Sequence, residues 1–324
     1  MPVIVNSKNP HPFLPSIGDV SAIDLEQAQH QDIRPLEIAI INLMADKPAT
    51  ERQLAQWLGH TSLQVNLTFA ATDDYINGIR KGRMSQNTSP EHIKKFYNGF
   101  SDIKDQKFDG LLVTGVNALQ ATVQDEAIWP DVQEIFDWST THAFSSLFLC
   151  WGAQAALKHF HNIDSVKGER KIYGVFNHRL VSDKTGVAFG FPDDFPAPVS
   201  RWKHPDRTQV AQHPELEVVA LSDETGPSIM VEGKTYNNGH DYYPHRVYVL
   251  NHPEYETDTL QREYQRDSGI NPATQPPLHY FPANDPSQSP RNTWRYTAFL
   301  YANWVKAVYE ATPYDLHKVP QPCR

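Results

Sequence analysis

The sequence is poor in cysteine, with two in 324 residues. So few thiols exclude a disulfide framework and a cysteine-rich zinc site, and they fit a reducing compartment. An excess of positive charge is also lacking. The formal net charge is −9, whereas phosphate backbones are bound by basic surfaces that release counterions, so no nucleic-acid partner is expected. No run approaches the roughly 18 apolar residues of a membrane span. The opening MPVIVNSKNPHPFLPS lacks a basic segment followed by an apolar one, so the expectation is a cytoplasmic protein with no membrane partner. The 15 histidines are scattered, without an H-x-x-x-H or H-E-x-x-H pair on a helix, and no metal is expected.

What is present describes an α/β protein. Residues 1–30 are rich in Pro, Asn and Ser and read as an arm on the surface or on a partner subunit. LEIAIINLM is a strand-length apolar run, and the helical spacing of Leu54, Trp57 and Leu58 follows it, with Gly59 as a stop. LQVNLTFA alternates as a second strand, TDDYINGIRKGRMSQNT reads as a loop, and SPEHIKKFYNGFSDI opens on Ser-Pro as a helix. FDGLLVTG is a buried strand, WPDVQEIFDWSTTH an amphipathic helix, and the residues before Cys150 another strand. Fully apolar strands alternating with helices predict a mostly parallel sheet covered on both faces, with reactive groups at the carboxyl ends of the strands. Shorter β segments follow (KIYGVFNHRLV, LEVVALS, PSIMVEG, HRVYVLN), then a helix after NHPEYE and a long aromatic-rich helix over TWRYTAFLYANWVKAVYEATPYDL. No linker divides the chain, so residues 31–316 read as one domain and 317–324 as a tail.

In SLFLCWGAQAAL, Cys150 stands between an apolar strand and a helical run. A lone cysteine is more often a buried filler. Here Gly152 removes a side chain from a tight strand-to-helix turn, and a helix N-terminus favours a thiolate. After the later strand RVYVL comes LNHPEYE, which sets His252 just beyond a strand end and Glu254 two residues on. A Cys-His-Glu set needs the imidazole to take the thiol proton and the carboxylate to hold the tautomer.

Cys-x-Gly-x-Gln after one strand and His-Pro-Glu after another resemble the class I glutamine amidotransferase fold, a flavodoxin-like α/β layer. QDIRPLEIAIINLM, NTSPEHIKKFYNGFSDIKDQKFDGLLVTG, LFLCWGAQAAL, YGVFNHR, HPEYETDTLQREYQRD and FPANDPSQSPRNTWR together resemble the homoserine O-succinyltransferase and O-acetyltransferase family, from about Gln31 to Leu316. The resemblance implies a homodimer with no bound cofactor, which passes an acyl group from acetyl-CoA or succinyl-CoA through a cysteine thioester to homoserine. It implies Cys150 as nucleophile, His252 as general base, Glu254 as its orienting partner, and the backbone N–H groups of Trp151 and Val116 as oxyanion donors. Lys47 matches a lysine that helps hold the site. Lys171, Ser200 and Arg266 match positions that bind the amino-acid acceptor, Arg266 by bidentate pairing with its carboxylate.

The sequence departs from the family pattern around this site. Val116 and Asn117 replace Ala-Pro, and Leu119 stands where glycine or glutamate is usual. Ala45 replaces Pro, Asn251 replaces Gly, and Asn177 stands where glutamate is common. Leu119 fills the space that glycine leaves for succinyl, so acetyl is the expected group. Serine as acceptor remains an alternative, since one methylene discriminates by only about 1–3 kcal/mol. A glutaminase of the same fold is the other alternative, although it has no use for Lys47, Lys171 and Arg266.

Overall fold

A computed structural model describes residues 34–85, 87–118, 120–236 and 241–322, together with the backbone of 3–5 and 22–24. Among these residues twelve strands make one sheet. Its parallel part runs, in spatial order, β4 (Val65–Ala71), β3 (Leu36–Ile41), β6 (Phe108–Val113), β7 (Ala143–Leu149) and β12 (Asp241–Val249). Beyond β12 the direction alternates through β11 (Gly226–Tyr236), β10 (Glu217–Ser222), β8 (Ser165–Leu180) and β9 (Asp194–Pro205). On the other side two short parallel strands, β1 (Val3–Val5) and β2 (Ala22–Asp24), extend the sheet from β4, which also pairs with β5 (Asn98–Gly99). The mostly parallel α/β sheet expected from the sequence is the one observed.

The period-2 geometry of a strand explains how β3 serves two cores. Leu36, Ile38 and Ile40 face one, shared with Leu54 and Leu58 of α1 (Lys47–Leu58) and with Trp304 and Val308 of a C-terminal helix. Ala39 and Ile41 face the other, with Val132, Ile135 and Phe136. Each such aliphatic side chain taken fully from water contributes roughly 1.5–3 kcal/mol. Asp109 on β6 closes the amino-end side of the sheet. It accepts from both Arg34 terminal nitrogens (2.7 and 2.8 Å), from the Glu37 amide (2.8 Å) and from Thr312 (2.6 Å), so its buried charge is fully satisfied.

Three local expectations are corrected. The segment expected to be a loop after β4 contains α2 (Asp73–Arg80). Thr72 caps it by accepting from the Tyr75 amide, Asp73 and Asp74 lie in its first turn, and Ile76 and Ile79 are buried one turn apart. The helix expected over SPEHIKKFYNGFSDI is two: α3 (Pro90–Phe96) ends at Tyr97, and the extended Asn98–Gly99 pairs with β4 before α4 (Phe100–Ile103). The sequence reading assigns no strand to residues 194–205, where Pro196, Pro198 and Pro205 argue against one. They form β9 at the edge of the sheet, where a missing N–H is tolerated.

Between β6 and β7 runs α5 (Trp129–His142), and after β7 comes α6 (Trp151–His161). Cys150 caps α6 with φ 49° and ψ −112°, a region L-residues rarely adopt. Gly152 is required by close approach. A Cβ there would lie 2.7 Å from the Thr114 carbonyl oxygen and 2.9 Å from that of Val113, both backbone atoms. Gly152→Ala should therefore cost about 1–3 kcal/mol of stability in urea denaturation, whereas Gly269→Ala, whose Cβ meets no described atom within 4 Å, should be neutral or slightly stabilising. Equal effects would contradict the packing assigned to the elbow.

Candidate active site

Loops after β3, β6, β7 and β12 supply the chemistry, all from the carboxyl ends of parallel strands. β7 and β12 are neighbours in register, with Leu149 opposite Val249 and the Cys150 amide bonded to the Val249 carbonyl at 2.7 Å. Two residues past Leu250, the His252 amide donates to the Pro198 carbonyl (3.0 Å), which turns the loop back over the elbow. His252 Nδ1 donates to Glu254 Oε1 at 2.7 Å, and the other oxygen of Glu254 accepts from Tyr301 at 2.7 Å. Tyr301 comes from α9 (Phe299–Ala311). The ring of Tyr255 stacks on that of His252, with centroids 4.2 Å apart and planes 17° from parallel. The bond to Glu254 leaves Nε2 for Cys150. All three polar residues are buried, Cys150 at 9% exposure.

Burial alone pulls the His252 imidazole down, but the charges and hydrogen bonds of Cys150 and Glu254 hold it well above its ordinary value. The arrangement favours the imidazolium form of His252. Behind it lies the buried guanidinium of Arg201, which donates to the carbonyls of Leu250 (3.1 Å) and Thr225 (2.9 Å) and to Asn251 Oδ1 (3.0 Å). Burial brings it down to about 10, against the pull of the Cys150 charge.

Trp151 is the first residue of α6, where amides have no intrahelical acceptor. The loop that carries Val116 abuts it: a Cβ on Gly115 would lie 3.2 Å from the Cys150 Cβ and 3.4 Å from the Trp151 nitrogen. Lys47 starts α1 as a buried side chain, donating to the carbonyls of Asn42 and Met44 and lying 4.5 Å from the centroid of the Tyr75 ring. Burial lowers its amine from 10.5 to about 7, with Glu51 pulling the other way.

Lys171, Ser200 and Arg266 gather around two carboxylates of α8 (Thr259–Ile270). Ser200 donates to Glu263 at 2.6 Å. Lys171 Nζ lies 3.6 Å from Glu263 and 3.4 Å from Asp267 and sits over the Tyr173 ring. Arg266 donates to Asp267 at 2.8 Å and is 59% exposed. Glu263 also accepts from Tyr255 (2.7 Å), so this cluster connects through the stacked ring to His252. Leu119 lies outside the described residues.

The homoserine O-succinyltransferase family model matches residues 2–314. A homoserine O-acetyltransferase of Chelativorans sp. (strain BNC1) is 38% identical over 93% of this chain and 91% of its own length. The chain belongs to the homoserine O-succinyltransferase family. A relative named homoserine O-succinyltransferase, from Pelagibacterium halotolerans, is 35% identical over 98% of both chains. Among solved structures, a putative GMP synthase protein from Thermoplasma acidophilum matches 85% of this chain and 94% of its own with a TM-score of 0.50 at 13% identity, a likeness of fold. The class I glutamine amidotransferase-like fold expected from the sequence is the observed one.

Sequence reasoning missed Glu263, Tyr301, Tyr255 and Arg201. Glu263 had a readable signal, since Glu263, Arg266 and Asp267 share one helix face at spacings of three and four. Tyr301 had none, because one tyrosine in an aromatic-rich helix cannot be told from core. Asn251, which departs from the family pattern, also donates to His178 Nε2 at 3.0 Å and so ties His178 to Arg201.

Lys47 gives a pH test. Below about 7 both folded and unfolded states bind its proton, and the folded state carries the full penalty of a buried charge. Between that value and the ordinary 10.5 the unfolded chain alone binds it, so stability rises with pH. Relative to Lys47→Met, wild type should gain up to about 1.4 kcal/mol per pH unit across this window. Denaturation at pH 6.5, 8 and 9.5 checks it, and a pH-independent difference would contradict the burial.

Proposed function

We propose that this chain transfers an acetyl group from acetyl-CoA through Cys150 to the side-chain hydroxyl of L-homoserine. The observation that carries the reading is the convergence of Cys150, His252 and Glu254 in one buried cluster at the ends of adjacent strands. Family membership makes acylation of homoserine, a step towards methionine, the reaction class. It favours neither serine as acceptor nor glutamine hydrolysis.

In the first half-reaction the Cys150 thiolate attacks the thioester carbonyl, the oxyanion is held by the amides of Trp151 and Val116, and coenzyme A leaves as its thiolate, taking a proton from His252. In the second, neutral His252 removes the hydroxyl proton of homoserine. The alkoxide attacks the acyl-cysteine, and Cys150 leaves as thiolate beside the renewed imidazolium. Glu254, braced by Tyr301, holds the ring through Nδ1 in both steps. Arg266 receives the acceptor carboxylate, Lys171 and Ser200 line its binding place, and the carboxylates of Glu263 and Asp267 complement its ammonium group. Lys47 steadies the loop after β3. Residues 31–316 form the catalytic domain, 1–30 an arm and 317–324 a tail, in a cytoplasmic homodimer.

The relatives' names divide between acetyl and succinyl, so the donor turns on local residues. Leu119 offers a bulky apolar group and nothing to pair with a succinyl carboxylate, whose burial unpaired costs several kcal/mol. Coenzyme A release should be fastest for acetyl-CoA with homoserine among the four pairings of acetyl-CoA or succinyl-CoA with homoserine or serine. Leu119→Gly should narrow the donor preference in kcat/KM. Cys150→Ala and His252→Ala should lower kcat by several orders of magnitude without lowering Tm. A wild type that prefers succinyl-CoA overturns the donor assignment, and one that prefers serine overturns the acceptor.

A further inference from the structure

We propose that His161, His213 and Glu215 form a binding site for a divalent transition-metal ion of the Zn2+ class, at the far end of the helix that carries the nucleophile. The three side chains offer one ligand atom each, all within 4.8 Å of one another. They come from separate elements: His161 ends α6, while His213 and Glu215 stand between α7 (Arg207–Gln212) and β10. That is why no local histidine spacing announced them.

A second observation points to a ligand. The His161 side chain is only 2% exposed, and its Nδ1 is buried without a hydrogen-bond partner among the described residues. Its other nitrogen is occupied, 2.8 Å from the Tyr248 hydroxyl and 3.4 Å from a Glu232 carboxylate oxygen. The Glu232 carboxylate is itself held by Arg246 at 2.6 Å. With a Glu232 carboxylate oxygen on the Nε2 side and Nδ1 unpartnered, the contacts match the carboxylate–histidine–metal arrangement, in which the second ring nitrogen binds the ion. The His213 ring lies against it, with centroids 4.5 Å apart and planes at 74°. His213 Nδ1 has only a 3.4 Å contact with the Glu215 amide to lose.

Two imidazoles and a carboxylate suit Zn2+ or its neighbours in the first transition row, with further positions for water. Bonds of about 2.0–2.1 Å put tetrahedral donors roughly 3.3 Å apart, a closure that the partly exposed His213 and exposed Glu215 can make by rotation. A cation here also meets the negative end of the α6 dipole. The eleven residues of α6 put Cys150 roughly 16 Å away. The ion would therefore pin the helix to the strand β10 approach and take no part in acyl transfer.

Co2+ and Zn2+ titrations of the full chain, in wild type and Cys150→Ala, test the site by calorimetry, Co2+ absorption and Tm. One equivalent should bind in both, with a Co2+ spectrum free of thiolate charge transfer, and Zn2+ should raise Tm. His213→Ala and Glu215→Ala should each weaken binding at least tenfold and remove the Tm shift, while metal-free kcat stays unchanged. Substoichiometric binding, a loss below tenfold in His213→Ala, or binding lost only in Cys150→Ala would overturn the proposal.

Discussion

Everything at the candidate site depends on bringing Cys150 and His252 together out of water. Two opposite charges in a buried site attract far more strongly than at the surface, but each pays a desolvation cost that only close partners offset. The sheet supplies that closeness by register. Leu149 lies opposite Val249, and the Cys150 amide is bonded to the Val249 carbonyl. A one-residue slip of β12 against β7 would turn every side chain of the strand to the other face, removing His252 from the sulfur and Val247 and Val249 from the core. The core that fixes the strand thus also fixes where Cys150 and His252 meet.

Around this pair the neighbouring groups are arranged by layer. Glu254 and Tyr301 hold the imidazole from one side, and Tyr255 lies flat against it. Tyr255 reaches on to Glu263, where Lys171 and Ser200 meet. A change in the cluster of Lys171, Ser200 and Glu263 is therefore one ring away from His252. On the opposite side Arg201 spans Leu250, Asn251 and Thr225, with no carboxylate partner among the described residues. Cys150 lies close enough to act on the Arg201 charge.

Legibility from sequence followed physical range. The apolar parallel strands and the Cys150 turn are local patterns, and LCWGAQ was enough to place a tight strand-to-helix turn where φ is in fact 49°. His252 and Glu254 were found because a strand end precedes them. Helix α2 was missed although Thr72 and the paired aspartates mark its start, because Asn77 and Gly78 weaken the periodicity. Strand β9 was missed because prolines mask an edge strand, and edge status is set by the rest of the sheet. Tyr301 reaches Glu254 across 47 residues and Arg201 reaches Leu250 across 49, separations that no local spacing records.

The claim that Cys150 relays the acyl group is tested most directly by mass spectrometry of the protein incubated with acetyl-CoA and no acceptor. The account predicts one acetyl group on the peptide containing Cys150, labile to hydroxylamine, discharged by homoserine and absent in Cys150→Ala. Normal turnover with no adduct at Cys150, or an adduct that homoserine fails to discharge, would contradict it.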